Sequence, residues 1–391
     1  MRELVGTESL LFIGIGLGLI YGVLLQKGDF CFVSAFRDWF AFKHNRVLQG
    51  IIFAVLVILF GWSLILAVDL APLDRLWLPP VGGSAIIGGI VFGAGMYVAG
   101  ACASGTLYRC GMGYAYFWLV FLGMKVGYLI YAVLHEPFFV PYYFEPLAIS
   151  GPVTLYEYIP PAAVAAFALL LLIYLLFRLI VKKTGKSEAS GDSALGQGGR
   201  KESSANPLRW KSWDARFVGI LVGLTVTLQF FLWSIWGITG PGTRIAGVAW
   251  SQVAEEAAVL DNPYMGDMFA AYPGAVLGPS EWLIIFIIIG AGIASLLSGT
   301  WRYRKPRLNR VPNAVLGGAV MGIGSRMAPG CNIGNIISGL PALSVHSLLA
   351  STGIALGVYL GYVVAQRNLQ RQMKRLEQEA DLKQADKQAS S

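Results

Sequence analysis

Ile87-Gly88-Gly89-Ile90-Val91-Phe92-Gly93-Ala94-Gly95 and Leu316-Gly317-Gly318-Ala319-Val320-Met321-Gly322-Ile323-Gly324 carry the same glycine pattern, and they face each other when the sequence is slid against itself by 229 residues. Carried on without a gap, the same offset sets Cys102 on Cys331 and Gly105 on Gly334. A fainter match at an offset of 205 places Gly14 and Gly18 opposite Gly219 and Gly223. The chain therefore contains its own first part twice. Apolar stretches surround both copies, so the repeat has to be laid out across a membrane.

Composition agrees with that setting: 55% of the 391 residues are hydrophobic and 13% charged, against about 25% charged in soluble domains. This balance excludes a secreted disulfide scaffold, a disordered regulator and an ordinary cytosolic enzyme. Apolar runs predict nine transmembrane crossings, at about 10–27, 48–68, 85–108, 114–134, 161–181, 216–236, 282–300, 313–340 and 344–365, each near the ~20 residues that cross a bilayer. The early apolar run has one preceding basic residue, Arg2, and no small-residue cleavage pattern, so it reads as a first span rather than a signal peptide. The expected fold is an all-α polytopic membrane protein.

Charge tests the layout. Basic loops follow only odd-numbered runs: Arg37, Lys43 and Arg46; Lys182 to Lys211; Arg302 to Arg310; Arg367 to Arg375. The other loops carry Asp69 and Asp74, Glu136, Glu145 and Glu157, or Glu255, Glu256, Asp261 and Asp267. The positive-inside rule then predicts an outside N-terminus and a cytoplasmic C-terminus. On this reading the net charge of +8 records topology and gives no reason to expect a nucleic-acid partner. Runs one to four match runs six to nine, with run five as the connector. An odd connector inverts the second copy, the arrangement common in secondary transporters. The expected organisation is a first repeat and connector over 1–181, a flexible cytoplasmic linker over 182–215, an inverted repeat over 216–365, and a cytoplasmic tail over 366–391 with a short amphipathic helix. The linker contains Gly185-Lys186-Ser187, but Ile180 stands where a phosphate loop needs glycine, which argues against a nucleotide-driven pump.

Glycine, 48 of 391 residues, is enriched over the usual ~7%. The four-residue steps Gly14-Gly18-Gly22 and Gly353-Gly357-Gly361 read as close helix packing. Tyr97 to Thr106 and Arg326 to Asn335 differ, because Pro329 and flanking glycines interrupt an apolar run near its middle. Matched interruptions in two halves free backbone N–H groups and point to a midplane substrate site. Cys102 and Cys331 lie in them, and Cys31 sits at a third interruption, Gly28-Asp29-Phe30-Cys31, whose place in the second half is taken by Trp236. Cys110 reads as structural.

Three chemistries suit such thiols. A metal site needs companions such as histidine, and His44, His135 and His346 are expected away from the interruptions. A redox pair needs the thiols within bridging distance. A neutral thiol, a weak donor and soft acceptor, suits a sulfur-rich anion whose charge is met by freed N–H groups. Arg109 and Arg326 flank the interruptions as candidates for anion guidance, Lys125 lies within run four, and Asp29 is the one carboxylate near a break.

Gly100-Ala101-Cys102-Ala103-Ser104-Gly105, Gly330-Cys331-Asn332-Ile333-Gly334-Asn335 and Gly28-Asp29-Phe30-Cys31 resemble the YeeE/YedE sulfur-transport family of prokaryotic inner-membrane proteins, over about residues 10–365. The resemblance implies import of thiosulfate without a cofactor, through inverted halves shaped as an hourglass. It places Cys31, Cys102 and Cys331 along the central path; the interruptions themselves add Gly105, Gly330, Asn332 and Gly334 as expected contacts of the ion. It also implies lipid surroundings and a small cytosolic sulfurtransferase-like partner. A branch associated with selenium metabolism, and an integral membrane sulfurtransferase working through a cysteine persulfide, are the alternatives. The long linker, the outer loop over 237–280 and Cys110 depart from the pattern.

Overall fold

The computed structural model describes residues 7–188, 212–253, 259–270 and 277–389. Eight helices among them are long and apolar enough to cross a membrane, and the chain is a multi-pass membrane protein of almost wholly helical structure. The first half comprises α1 (Thr7–Gly28), α2 (Phe32–Phe42), α3 (Arg46–Ala67), α4 (Gly83–Ala99), α5 (Ala103–Gly111) and α6 (Ala115–Leu134). A π-helical turn, His135–Phe144, leads to the short α7 (Glu145–Leu147). The strands β1 (Pro80–Gly82) and β2 (Ala148–Pro152) pair antiparallel. Next come α8 (Pro161–Glu188), α9 (Ala215–Leu232), α10 (Thr239–Ser251), α11 (Pro263–Ala270), α12 (Pro279–Leu297), α13 (Val311–Met327), a π-helical turn Ile333–Gly339, and α14 (Val345–Ala389).

Interrupted helices organise the centre. α1 breaks from α2 at Asp29, whose φ of 43° is a left-handed value for a non-glycine residue. α4 breaks from α5 at Gly100, with φ 73°, and α13 ends before Gly330, with φ 122°. Only glycine takes such angles without cost. The run expected as one crossing over 313–340 is therefore two pieces, α13 and the second π turn, and neither is long enough to count as a span by itself. Pro329 cannot donate to a helical ladder and Gly330 leaves helical φ space, which divides it.

Packing partners exchange in pairs. α1 lies on α12 and α9 on α3; α4 lies on α14 and α13 on α6; α2 touches α14 and α10 touches α6; α4 and α13 cross each other. An added Cβ at Gly95 would meet the Met321 nitrogen at 2.7 Å, and one at Gly324 the Phe92 nitrogen at 2.5 Å; the 229-residue offset turns each contact into the other. The Gly14-Gly18-Gly22 stripe packs on Pro279, Leu283 and Ile287 of α12, as close-packing glycines do. α8 packs on α3 and has no counterpart.

Three differences from expectation stand out. α8 continues as helix to Glu188, so of the described part of the expected linker 182–215 only 212–214 is non-helical, and 189–211 lie outside the described residues. The expected outer loop 237–280 holds α10 and α11, while 254–258, with Glu255 and Glu256, and 271–276 lie outside the described residues. α14 carries the last span and the tail in one helix, with Leu369, Met373 and Leu376 all exposed.

Candidate functional site

At the end carrying the basic loops, two helix starts meet. Cys31 is the residue before α2, in extended geometry, and Cys102 is the residue before α5. These are cap positions, where side-chain acceptors meet the unsatisfied N–H groups of a first helical turn. The Gly105 N–H donates to the Cys102 thiol at 3.3 Å, and the Ser104 hydroxyl lies 3.3 Å from the same sulfur. The thiols of Cys31 and Cys102 are 3.6 Å apart and fully buried. A disulfide requires about 2.05 Å, so this is a non-covalent S–H···S contact, and all four cysteines are free. An added Cβ at Gly105 would come within 2.8 Å of the Cys31 sulfur.

A charged cluster abuts the thiols. The Tyr108 hydroxyl donates to the Asp29 carboxylate, and Arg109 Nη2 donates to it at 3.4 Å. Arg109 Nη1 donates to the Gly100 carbonyl at 3.1 Å, and its guanidinium stacks 5.1 Å from the Phe117 ring. One arginine thus ties together the α1–α2 break and the α4–α5 break.

At the opposite end, Gly330 and Gly334 line a cavity of about 400 Å³ together with Arg75, Thr239 and Arg326. Nothing would meet a Cβ at Gly334 within 4 Å. Cys331 is fully buried between them, and its thiol makes no hydrogen bond among the described residues. Asn335 braces this break, donating to the Ala328 carbonyl at 3.2 Å and accepting from Ser347 at 3.2 Å. Asn332 is fully buried, and neither its amide nitrogen nor its oxygen has a partner among the described residues. Leaving such groups unpaired costs about 1–3 kcal/mol each, a cost that a polar ligand removes. Arg326 donates to Thr239 Oγ1 at 2.7 Å and to the Tyr264 hydroxyl at 3.4 Å.

The structure brings Cys31, Cys102, Gly105 and Arg109 together. It groups Gly330, Gly334 and Arg326 around the cavity, next to Cys331 and Asn332. Cys331 shares one continuous buried core with Cys31 and Cys102. Cys110 is buried further along α5, and Lys125 is spent on the Gly242 carbonyl at 2.8 Å. His346, expected away from the breaks, instead has Nε2 3.4 Å from the Ala328 carbonyl and Nδ1 2.8 Å from that of Pro80. The turn over 340–343, with Leu343 at a φ of 50°, leads into α14 and brings its first residues onto the break. Among the described residues no three His, Cys, Asp or Glu side chains form a metal-sized group. Tyr108, Thr239 and Tyr264 were not singled out from sequence. Thr239 had one signal available: at the 205 offset it occupies the place of Ser34, three residues after Cys31.

Comparison with known proteins points in one direction. Residues 27–360 match the family described as Sulphur transport. The thiosulfate transporter TsuA of Spirochaeta thermophila is 30% identical over 372 residues, 89% of this chain and 97% of that protein. The protein of the same name in Escherichia coli is 27% identical over 368 residues, covering 92% and 97%. A probable transporter, YedE of Salmonella typhimurium, is 34% identical over 128 residues, 32% of this chain and 31% of its own.

Proposed function

Starting from the sulphur-transport family, to which this chain belongs, we propose that it is a transporter carrying thiosulfate inward across a prokaryotic cytoplasmic membrane. The observation that carries the reading is the buried 3.6 Å contact between the Cys31 and Cys102 thiols, seated on two helix starts. Soft sulfur donors and freed backbone N–H groups are what an anion with one terminal sulfur and a charged oxyanion end requires. The two curated relatives that span nearly their whole length on this chain both carry the name thiosulfate transporter.

On this reading the halves are inverted repeats with the acidic loops outside, so the cavity beside Cys331 is the entrance. Arg326 and the N–H groups after Gly330 meet the oxyanion charge, and the unpaired Asn332 amide becomes paired. The terminal sulfur accepts an S–H bond from Cys331 and is passed to Cys102 and Cys31 by exchange of hydrogen bonds, with no covalent bond made or broken. Arg109 receives the charge at the exit, where a small cytosolic sulfurtransferase-like protein takes the product. Exposed apolar side chains of α8, among them Phe167, Leu170 and Phe177, face lipid.

The test is uptake of labelled thiosulfate by vesicles holding single Cys→Ala variants. Cys31→Ala, Cys102→Ala and Cys331→Ala should each lose most uptake, and Cys110→Ala should keep it. Full uptake by Cys331→Ala would remove the relay.

A further inference from the structure

The entrance cavity has a neighbour with which it shares part of its wall. A second cavity of about 610 Å³ shares Trp77, Met268 and Arg326 with it. Inorganic thiosulfate has five heavy atoms and does not account for a space in the 300–1,000 Å³ range of organic-ligand pockets. The walls of this lobe are aromatic and aliphatic: Val81, Tyr131, Val140, Phe144 and Tyr264. Its floor includes Pro329, in the break beside Cys331. Arg326 stands between the lobes, nine-tenths buried, and its Nε has no partner among the described residues. A buried cationic donor left unpaired at the junction of a polar and an apolar lobe fits a ligand with an anionic head and an apolar body. Glu145 also lines the second lobe, so the charge belongs on the Arg326 side.

We propose that the second lobe holds the organic substituent of an S-substituted thiosulfate, R–S–SO3⁻, whose sulfonate sits on Arg326 and whose body lies against Phe144 and Tyr264. This rests on the thiosulfate reading above and deepens it. The sulfonate head matches what the transport reading puts in the polar lobe, and the substituent occupies space the inorganic ion leaves empty. With its body held in the second lobe, such a compound occupies the entrance and competes with thiosulfate for Arg326.

S-benzyl thiosulfate and S-methyl thiosulfate are compared as inhibitors of labelled thiosulfate uptake by vesicles containing the full chain. Burying the phenyl ring is expected to make the benzyl compound about tenfold or more the stronger. Val140→Trp, which fills the second lobe, should remove that advantage and leave uptake and the methyl compound unchanged. Equal potency of the two compounds on the unaltered protein overturns the proposal, as does an advantage that survives Val140→Trp. Calorimetric titration of the purified protein separates the two readings. Benzyl compound binding that is lost in Val140→Trp, in a protein that carries no thiosulfate, would retain this site and refute the transport reading. Thiosulfate uptake with no benzyl compound binding would do the reverse. If Val140→Trp fails to fold, Phe144→Ala, which removes one wall, should weaken the benzyl compound alone; unchanged benzyl potency in it counts against the proposal.

Discussion

The break at Cys102 and the break at Cys331 occupy matched places in the repeat, yet they are furnished differently. Around Cys102 a second thiol, Cys31, lies 3.6 Å away, and Arg109 bridges Asp29 and the Gly100 carbonyl. Around Cys331 the place of Cys31 is taken by Trp236, stacked 4.0 Å from the Tyr21 ring. The place of Arg109 is taken by Ser338, whose hydroxyl donates to the Trp236 carbonyl at 2.8 Å. Both arrangements tie one interrupted helix to the next, one through an ion pair and the other through a neutral bond. The backbone plan is shared, and on the proposed reading the direction of transport resides in the side chains. On that reading, a single thiol with an unpaired amide suits capture, and a thiol pair beside an ion-paired arginine suits release.

The sharpest way to break the comparison is at its matched glycines. Gly105→Ala forces a carbon into the Cys31 and Cys102 sulfurs, at 2.8 and 3.2 Å. It should reduce uptake more than tenfold, an effect expected where packed contacts are overfilled by about 1–3 kcal/mol. Gly334→Ala meets nothing within 4 Å and should reduce uptake far less. Equal losses would show that the two breaks do the same work.

Next in size is the charge that only the first break carries. Arg109→Gln removes the bridge and the local positive charge, and uptake should fall about tenfold with the protein still folded. Asp29→Asn should cost less than about 1 kcal/mol of stability, because the Asp29 side chain is 70% exposed and exposed ion pairs contribute little. Its uptake should change by less than Arg109→Gln; a larger loss would make the carboxylate, rather than the guanidinium, the working group. Ser338→Ala, the matched change in the second half, removes one buried hydrogen bond. It should lower stability by about 1 kcal/mol, read as a small fall in unfolding temperature, with uptake retained.

The smallest effect lies outside both breaks. Asp214 caps α9 by accepting from the Arg216 N–H at 2.9 Å. Its hydrogen bonds to the Arg216 side chain lead in holding its carboxyl down, at about 2. Because that value lies below the unfolded one, the cap's contribution is present above about pH 4 and fades as pH falls toward 2. Exposure of the pair keeps it small. Asp214→Ala should cost about 1 kcal/mol near neutral pH, and less in acid.

Much of this was legible beforehand. The glycine pattern at 88–95 and 317–324 marked the helices that cross at the centre, and Cys102 and Cys331 fell at the breaks between them. Less visible was the meeting of Cys31 with Cys102, because it depends on how α1, α5 and α12 pack, a long-range outcome that no local spacing encodes. Run 313–340 reads as one crossing with a break at Pro329 and Gly330, because hydrophobicity averages over both and hides that neither piece is long enough to span alone. Thr239 and Tyr264 were hidden for the opposite reason. Gly237 to Gly242 reads as loop punctuation, yet Pro241 sits in the first turn of α10, where proline is tolerated. The second half therefore has a counterpart to α2 in a segment that looked irregular.

The central claim is that the anion touches the buried thiols, and alkylation reports it most directly. The purified protein, treated with a small maleimide, is followed by intact and peptide mass in the presence of thiosulfate or of sulfate. The account predicts that thiosulfate slows modification of Cys102 and Cys331 at least several-fold and that sulfate, lacking the terminal sulfur, does not. Equal modification rates with the two anions would contradict it.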